Sequence, residues 1–463
     1  MNKFKWTAIF LVKGAADNSL ELLQLLQQLQ AVKKSAEVAV IVGINIRAEN
    51  IPLSLQDPGI TTAVGWTTLF YSLEAVGNGC RFRFICEKQT FKLAVQADVA
   101  DFFKNSVLSL YMADRYILFT WDHGQPFGIF PDTGKNLMAA VTAEAKAKTT
   151  PATFHFRLLE QLEQEGKSQK NMRRAAATAT EDDLPILTIT ELRQAIEWAF
   201  GDDKIDVLVM ANCYLQFFDT GYELSSCVDY LIAFQTEMFF RDAFDYTMIL
   251  EAISNDPLVM PENLSKAIVS SYALQRTQRN QESMNSVALF ANNLSWYPVV
   301  AKLIDQLAID LIREMPRYRD RIMKAIEECE YISPNIPAFC LIDFRNFLRC
   351  LHNELPSLFS VIPYEYFETI LRELVTASHI GHDFVNEMDI RFRAPSCFSM
   401  YLPKKLSDYR TSFLSNFMLE TSLSPTLFVK RFSWEMFIYQ FIQPSARMAP
   451  AAPASVANVK KVA

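Results

Sequence analysis

Two side chains able to share one reaction stand in this sequence behind similar apolar runs. One is His123, in Phe119-Thr-Trp-Asp-His-Gly124; the other is Cys213, in Val209-Met-Ala-Asn-Cys-Tyr-Leu-Gln-Phe217. A deprotonated cysteine is a strong nucleophile, and a histidine beside it can hand a proton to a leaving amine. Gly124, directly behind the histidine, offers a backbone N–H unobstructed by a side chain and suited to an oxyanion. Taken singly, a cysteine after a strand is more often a core thiol, and a lone histidine there more often structural. The matching placement of the two is what draws them together.

The elements that must position them read as alternating strands and helices. Trp6 to Val12, Val38 to Ile44, Phe82 to Cys86, Tyr116 to Trp121 and Ile205 to Met210 are apolar runs of strand length. Between them, Leu20 to Val32 and Asp98 to Met112 have helical spacing. Thr188-Ile-Thr-Glu191 has the spacing of a capping box, and Gly201 stops the helix that follows it. Such alternation predicts an α/β fold, a mostly parallel sheet covered by helices on both faces. In such sheets catalytic groups gather at the C-terminal ends of strands. If the strands before His123 and Cys213 run parallel, both residues project from one edge.

After Gly221 the composition shifts. A single glycine, Gly381, occurs in the rest of the chain, and Val299, Leu303, Leu307 and Leu311 follow helical spacing, which predicts a largely helical C-terminal half. We therefore expect an α/β catalytic core over residues 1–255 and a mostly helical domain over 256–442, from which a late strand returns to the core. Residues 134–183 interrupt the core with polar, mixed-charge sequence, read as a mobile insert with a helical stretch at Phe154 to Leu162. The tail 443–463, rich in alanine and proline without aromatics, reads as disordered.

The net charge of −7 favours no nucleic-acid partner. No stretch approaches the roughly 20 apolar residues of a membrane helix, and the short N-terminal apolar run lacks a signal-peptide cleavage site, so a cytoplasmic protein is expected. Eight cysteines without a C-x-x-C pair, mostly in apolar surroundings, read as free thiols; five scattered histidines argue against zinc. No G-x-S-x-G elbow supports a serine hydrolase of the α/β type.

At these residues the chain resembles the clostripain family of cysteine peptidases, in the clan of caspases, gingipains and legumains. Trp6-Thr-Ala-Ile-Phe-Leu-Val with Ala16-Asp-Asn-Ser-Leu-Glu21 is similar to that family's opening strand and helix start, and Trp121-Asp-His-Gly124 to its histidine motif. Leu187 to Ile196, Asn212-Cys213, Thr220-Gly-Tyr-Glu-Leu224 and Tyr230-Leu-Ile-Ala233 follow in the family's order. Ser399-Met-Tyr-Leu-Pro403 and then Trp434 with Phe437 complete the likeness, which spans about residues 5–442. The resemblance implies a caspase-like fold and a Cys–His dyad that hydrolyses peptide bonds of a specific protein substrate through a thioester acyl-enzyme. It implies Cys213 as nucleophile, His123 as proton-transfer group, and the N–H groups of Gly124 and Cys213 as oxyanion hole. No cofactor is needed for that chemistry; calcium dependence, known in parts of the family, carries over as an expectation of resemblance only. Family members commonly mature by a cut between histidine and cysteine, which here would fall in the mobile insert.

The departures bear on specificity. The family usually has Asp-Ala-Cys at the nucleophile, the aspartate helping to bind a P1 arginine or lysine; here the residues are Ala211-Asn212-Cys213. Asp242, in Phe240-Arg241-Asp242-Ala243-Phe244, keeps an acid where the family has Pro-Gly-Asp-Gly-Trp. A buried cationic P1 group without a partner is costly, so P1 is expected not to be strictly basic. Clan analogy suggests bacterial defence or cell death, with a gasdermin-like pore-forming protein as one substrate candidate. The other reading is a catalytically inactive caspase-like scaffold that binds a partner.

Overall fold

The computed structural model describes residues 3–14, 18–131, 186–238, 244–279, 287–332, 339–381, 397–412, 414 and 426–442. The insert at 134–183 with its expected helix, Asp242 and the tail 443–463 lie outside them.

Five parallel strands form the centre of the molecule: β1 (Phe4–Gly14), β2 (Val38–Arg47), β5 (Ala113–Trp121), β9 (Ile205–Ala211) and β10 (Val228–Phe234). Their order is β10-β9-β5-β1-β2, and they are buried on both faces, hence the near-continuous apolar runs of the sequence. On one face Val207, Val209, Phe119 and Trp121 pack with the helices Ser19–Ala31 and Tyr246–Asn255. On the other, Leu208, Met210 and Leu118 pack with Ile189–Phe200 and the long helix Tyr297–Glu328.

Antiparallel strands finish both edges. The hairpin β3 (Trp66–Val76) and β4 (Gly79–Lys88) extends the sheet beyond β2; β11 (Ala288–Asn293) and β13 (Val375–Ile380) extend it beyond β10. The segment after residue 255 thus supplies two strands to the main sheet in addition to its helices. Three short strands, β6 (Gly124–Gln125), β7 (Gly128–Ile129) and β8 (Leu187–Thr188), form a second sheet. The expected late strand is β14 (Ser399–Tyr401); it pairs with β12 (Leu341–Asp343), and its Ser399 bridges in parallel to Phe217 just after the nucleophile candidate.

The capping box is present. The Glu191 N–H donates to Thr188 Oγ1 at 3.2 Å and the Thr188 N–H to Glu191 Oε2 at 2.7 Å, while Gly201 ends that helix at φ 64°. Two helical expectations are corrected. The stretch from Asp98 is a short α-helix, Gln96–Asp101, that widens into a π-helical segment, Phe102–Leu108. In Tyr297–Glu328 the buried stripe runs through Val300, Ile304, Leu307 and Leu311; Val299 is 36% exposed, one position off the packed face.

Candidate active site

Parallel pairing of β5 with β9 sets the geometry. Their register runs from Ile117 opposite Val207 to Trp121 opposite Ala211, where both strands end. His123 and Cys213 therefore each lie two residues beyond a paired strand end, on the C-terminal edge that the sequence predicted. His123 is half-buried. Gly124 leads into the β6–β7 hairpin, and β7 pairs with β8, directly ahead of the capped helix Ile189–Phe200.

Gly124 lies against the backbone of Cys213. A Cβ on it would meet Asn212 Cβ at 2.7 Å, Cys213 O at 3.0 Å and Cys213 N at 3.1 Å. Only glycine fits that approach, which brings the main chain of the histidine motif beside that of Cys213. Beyond Cys213 the chain turns sharply, because Tyr214 adopts φ 61°. For a non-glycine residue that conformation costs about 1–2 kcal/mol, so the surroundings must hold it. The Tyr214 N–H donates to Thr236 O at 3.1 Å and the Gln216 N–H to Phe234 O at 2.9 Å. From the other side, Ser399 N–H donates to Gln216 O at 2.9 Å and Gln216 Nε2 to Cys397 O at 2.7 Å. The late strand thus anchors the turn that carries the cysteine.

The sulfur is partly covered. Cys213 Sγ accepts from the Met238 N–H at 3.3 Å, and its S–H points to Met238 O at 3.6 Å. Burial pushes this thiol up to about 11; the charges of Glu237 and Asp122 act in the same direction, against the Met238 N–H. In this arrangement Cys213 is a neutral thiol at neutral pH. Glu237 in turn accepts from the Tyr214 hydroxyl at 2.7 Å.

Of the residues singled out from sequence, Gly124 lies against the Cys213 backbone, and His123 directly precedes it, with its carbonyl accepting from Asn212 Nδ2. Ala211 is the last residue of β9 and is 1% exposed within the apolar cluster that also holds Trp121 and Met238. Asp242 lies outside the described residues. Among the described residues no group of three or more His, Cys, Asp or Glu is placed to hold a metal ion, and no helix is long and apolar enough to cross a membrane.

Two residues of the site escaped the sequence reading. Thr120 and Asn212, both fully buried, join β5 to β9: the Thr120 hydroxyl donates to Asn212 Oδ1 at 2.6 Å, and Asn212 Nδ2 donates to Asp122 O at 2.8 Å and His123 O at 3.2 Å. The signal was a polar residue at each of two apolar strand ends, visible but without a pairing to relate them.

Among solved structures, this fold is similar to an inactive zymogen C11 protease from Parabacteroides distasonis, 12% identical, with a TM-score of 0.56 over 89% of this chain and 99% of that one. It is also similar to a secreted C11 cysteine protease from Bacteroides thetaiotaomicron in complex with an irreversible peptide inhibitor. That pair is 13% identical, with a TM-score of 0.53 over 89% of this chain and 97% of the other. At such identities the likeness speaks to fold alone. No curated protein matches the sequence. The profile of the clostripain family matches residues 164–438, a span that contains Cys213 and begins after His123. With more than half the chain matched and the fold shared with C11 proteases, this chain belongs to the clostripain family of cysteine proteases.

Proposed function

We propose that the chain is an endopeptidase whose working pair is His123 and Cys213. The observation that carries this reading is the common register of β5 and β9, with Gly124 set against the Cys213 backbone. In the reaction, the Cys213 proton passes to His123 and Sγ attacks the scissile carbonyl carbon. The N–H groups of Gly124 and Cys213 receive the oxyanion. The C–N bond breaks as His123 returns the proton to the departing amine, leaving a thioester. Water then attacks the thioester, giving its proton to His123, and Cys213 leaves as the thiol. Attack requires Sγ to come away from the Met238 backbone, so the arrangement described is a resting one.

The substrate in this reading is a protein cut at few sites, with P1 not strictly basic. Ala211 supports this, since a methyl group stands where the family usually carries the P1-binding carboxylate. Cleavage profiling on a peptide library that accepted only Arg or Lys at P1 would reject it. Defence or cell-death roles, and a gasdermin-like substrate, rest on clan analogy and enter as candidates for that profiling. The decisive comparison is wild type against Cys213→Ala, read as self-cleavage by intact mass and as hydrolysis of fluorescein-labelled casein. Wild-type cutting that Cys213→Ala abolishes is the expected result. If neither chain cuts anything, the inactive-scaffold reading replaces this one.

A further inference from the structure

We propose that Asn212 is a positioning residue that sets His123 and Gly124 against Cys213; this rests on the reading of His123 and Cys213 as the working pair. The β5–β9 ladder stops at Trp121 and Ala211. Past that point the carbonyls of Asp122 and His123 have no strand opposite them, and the Asn212 carboxamide takes the strand's place. Both of its N–H groups are used, one on Asp122 O at 2.8 Å and one on His123 O at 3.2 Å. Its oxygen is held by the Thr120 hydroxyl at 2.6 Å, which fixes which way round the amide sits. Asn212 and Thr120 are both 0% exposed, so no water competes.

The same residue acts from below through its Cβ, the atom nearest to where a Gly124 side chain would begin. One side chain thus draws down the main chain on either side of His123 and supports Gly124, while its own backbone continues directly into the nucleophile. Asn212 touches no reacting atom. Its contribution is to place the proton-transfer group and one oxyanion donor relative to sulfur, where errors of about 1 Å cost on the order of a hundredfold in rate.

Two substitutions separate placement from packing. Asn212→Ala keeps the Cβ under Gly124 and frees both carbonyls. Asn212→Asp keeps the shape but turns the donor nitrogen into oxygen facing carbonyl oxygens. We expect kcat on fluorescein-labelled casein to fall about 30-fold in both with KM within about twofold, the pattern of a group acting on the chemical step. The Asn212→Asp deficit relative to wild type should shrink as pH is lowered, because a protonated carboxyl regains one donor. Thr120→Val, isosteric and milder, should lower kcat about threefold. An activity-independent readout accompanies these: amide hydrogen exchange over residues 122–125 should quicken about tenfold in Asn212→Ala while residues 205–210 stay protected. Unchanged exchange at 122–125, or kcat within threefold of wild type in Asn212→Ala, overturns the proposal. Wild type that fails to cut casein while the exchange result holds would count against the dyad reading and leave the positioning role standing.

Discussion

Two buried polar clusters flank Cys213 and are built on different chemistry. At the sheet edge, Thr120, Asn212, Asp122 and Asn18 link β5, β9 and the start of the first helix: the Thr120 hydroxyl donates to Asn212 Oδ1, the Asn212 amide to Asp122 O, and the Asn18 amide to the Asp122 carboxyl at 3.4 Å. Behind the turn, the helix Phe218–Leu224 carries the carboxyls Asp219 and Glu223 into the interior. Glu223 accepts from Arg193 Nε at 2.9 Å and from the Leu427 N–H at 2.6 Å; Asp219 accepts from the Thr426 hydroxyl at 2.6 Å. The first cluster joins strands already paired and only refines where their ends point. The second docks the far C-terminal segment, more than 200 residues away in sequence, and does so with ionisable groups. The Thr120 hydroxyl and the Asn212 amide do not titrate, whereas the buried Asp219, raised to about 7, ties the C-terminal segment to the core in a pH-dependent way.

The sharpest way to break this contrast is Gly221→Ala. Its new Cβ would lie 2.2 Å from the fully buried Tyr297 ring, so the helix must shift. We expect a loss of about 3 kcal/mol in urea unfolding, with activity falling only as far as folded protein is lost. Gly124→Ala at the first cluster should reverse the pattern, with casein cleavage down about a hundredfold and a smaller shift in the urea midpoint than Gly221→Ala. If both variants moved stability and activity alike, the division of labour would collapse.

Glu223→Gln keeps an acceptor for the Leu427 N–H but leaves Arg193, only 13% exposed at its side chain, without that charge partner. A loss of about 2 kcal/mol is expected, measurable by urea titration. The gentlest probe is Asp219→Asn. Burial, reinforced by the Glu223 charge, raises Asp219 to about 7, so folding favours its protonated form. Its contribution is fullest below about pH 4 and is lost as pH rises through about 7. Thermal melts across that range should show wild type weakening with pH more than Asp219→Asn, and parallel curves would remove Asp219 as the cause.

How much of this was legible in the sequence follows from burial. The central strands could be read because burial on both faces demands unbroken apolar runs, as in Ile205 to Met210. Of the edge strands only β4 could, through Phe82 to Cys86; β3, β11 and β13 could not. β11 is six residues ending in Asn292-Asn293, and β13, Val-Thr-Ala-Ser-His-Ile380, is only partly covered, so neither needs a distinctive pattern. β3 hides behind the buried Thr67, Thr68 and Ser72. At the site, His123, Gly124 and Cys213 were singled out because their chemistry is confined to few residue types. Asn212 and Met238 were not, since an amide bonding to carbonyls and a backbone covering a sulfur have no characteristic residue pattern.

The pairing of β5 with β9 has a last consequence, for what a cut chain would look like. His123 belongs to the polypeptide before residue 132 and Cys213 to the one after residue 185, yet their strands are adjacent at the centre of one sheet. A single scission between those points would yield two pieces, each holding interior strands and one member of the proposed His123–Cys213 pair. Neither piece could leave without exposing the apolar faces of β5 and β9. Scission would therefore be invisible to gel filtration, which would report one intact particle, and plain on a denaturing gel, which would report two bands.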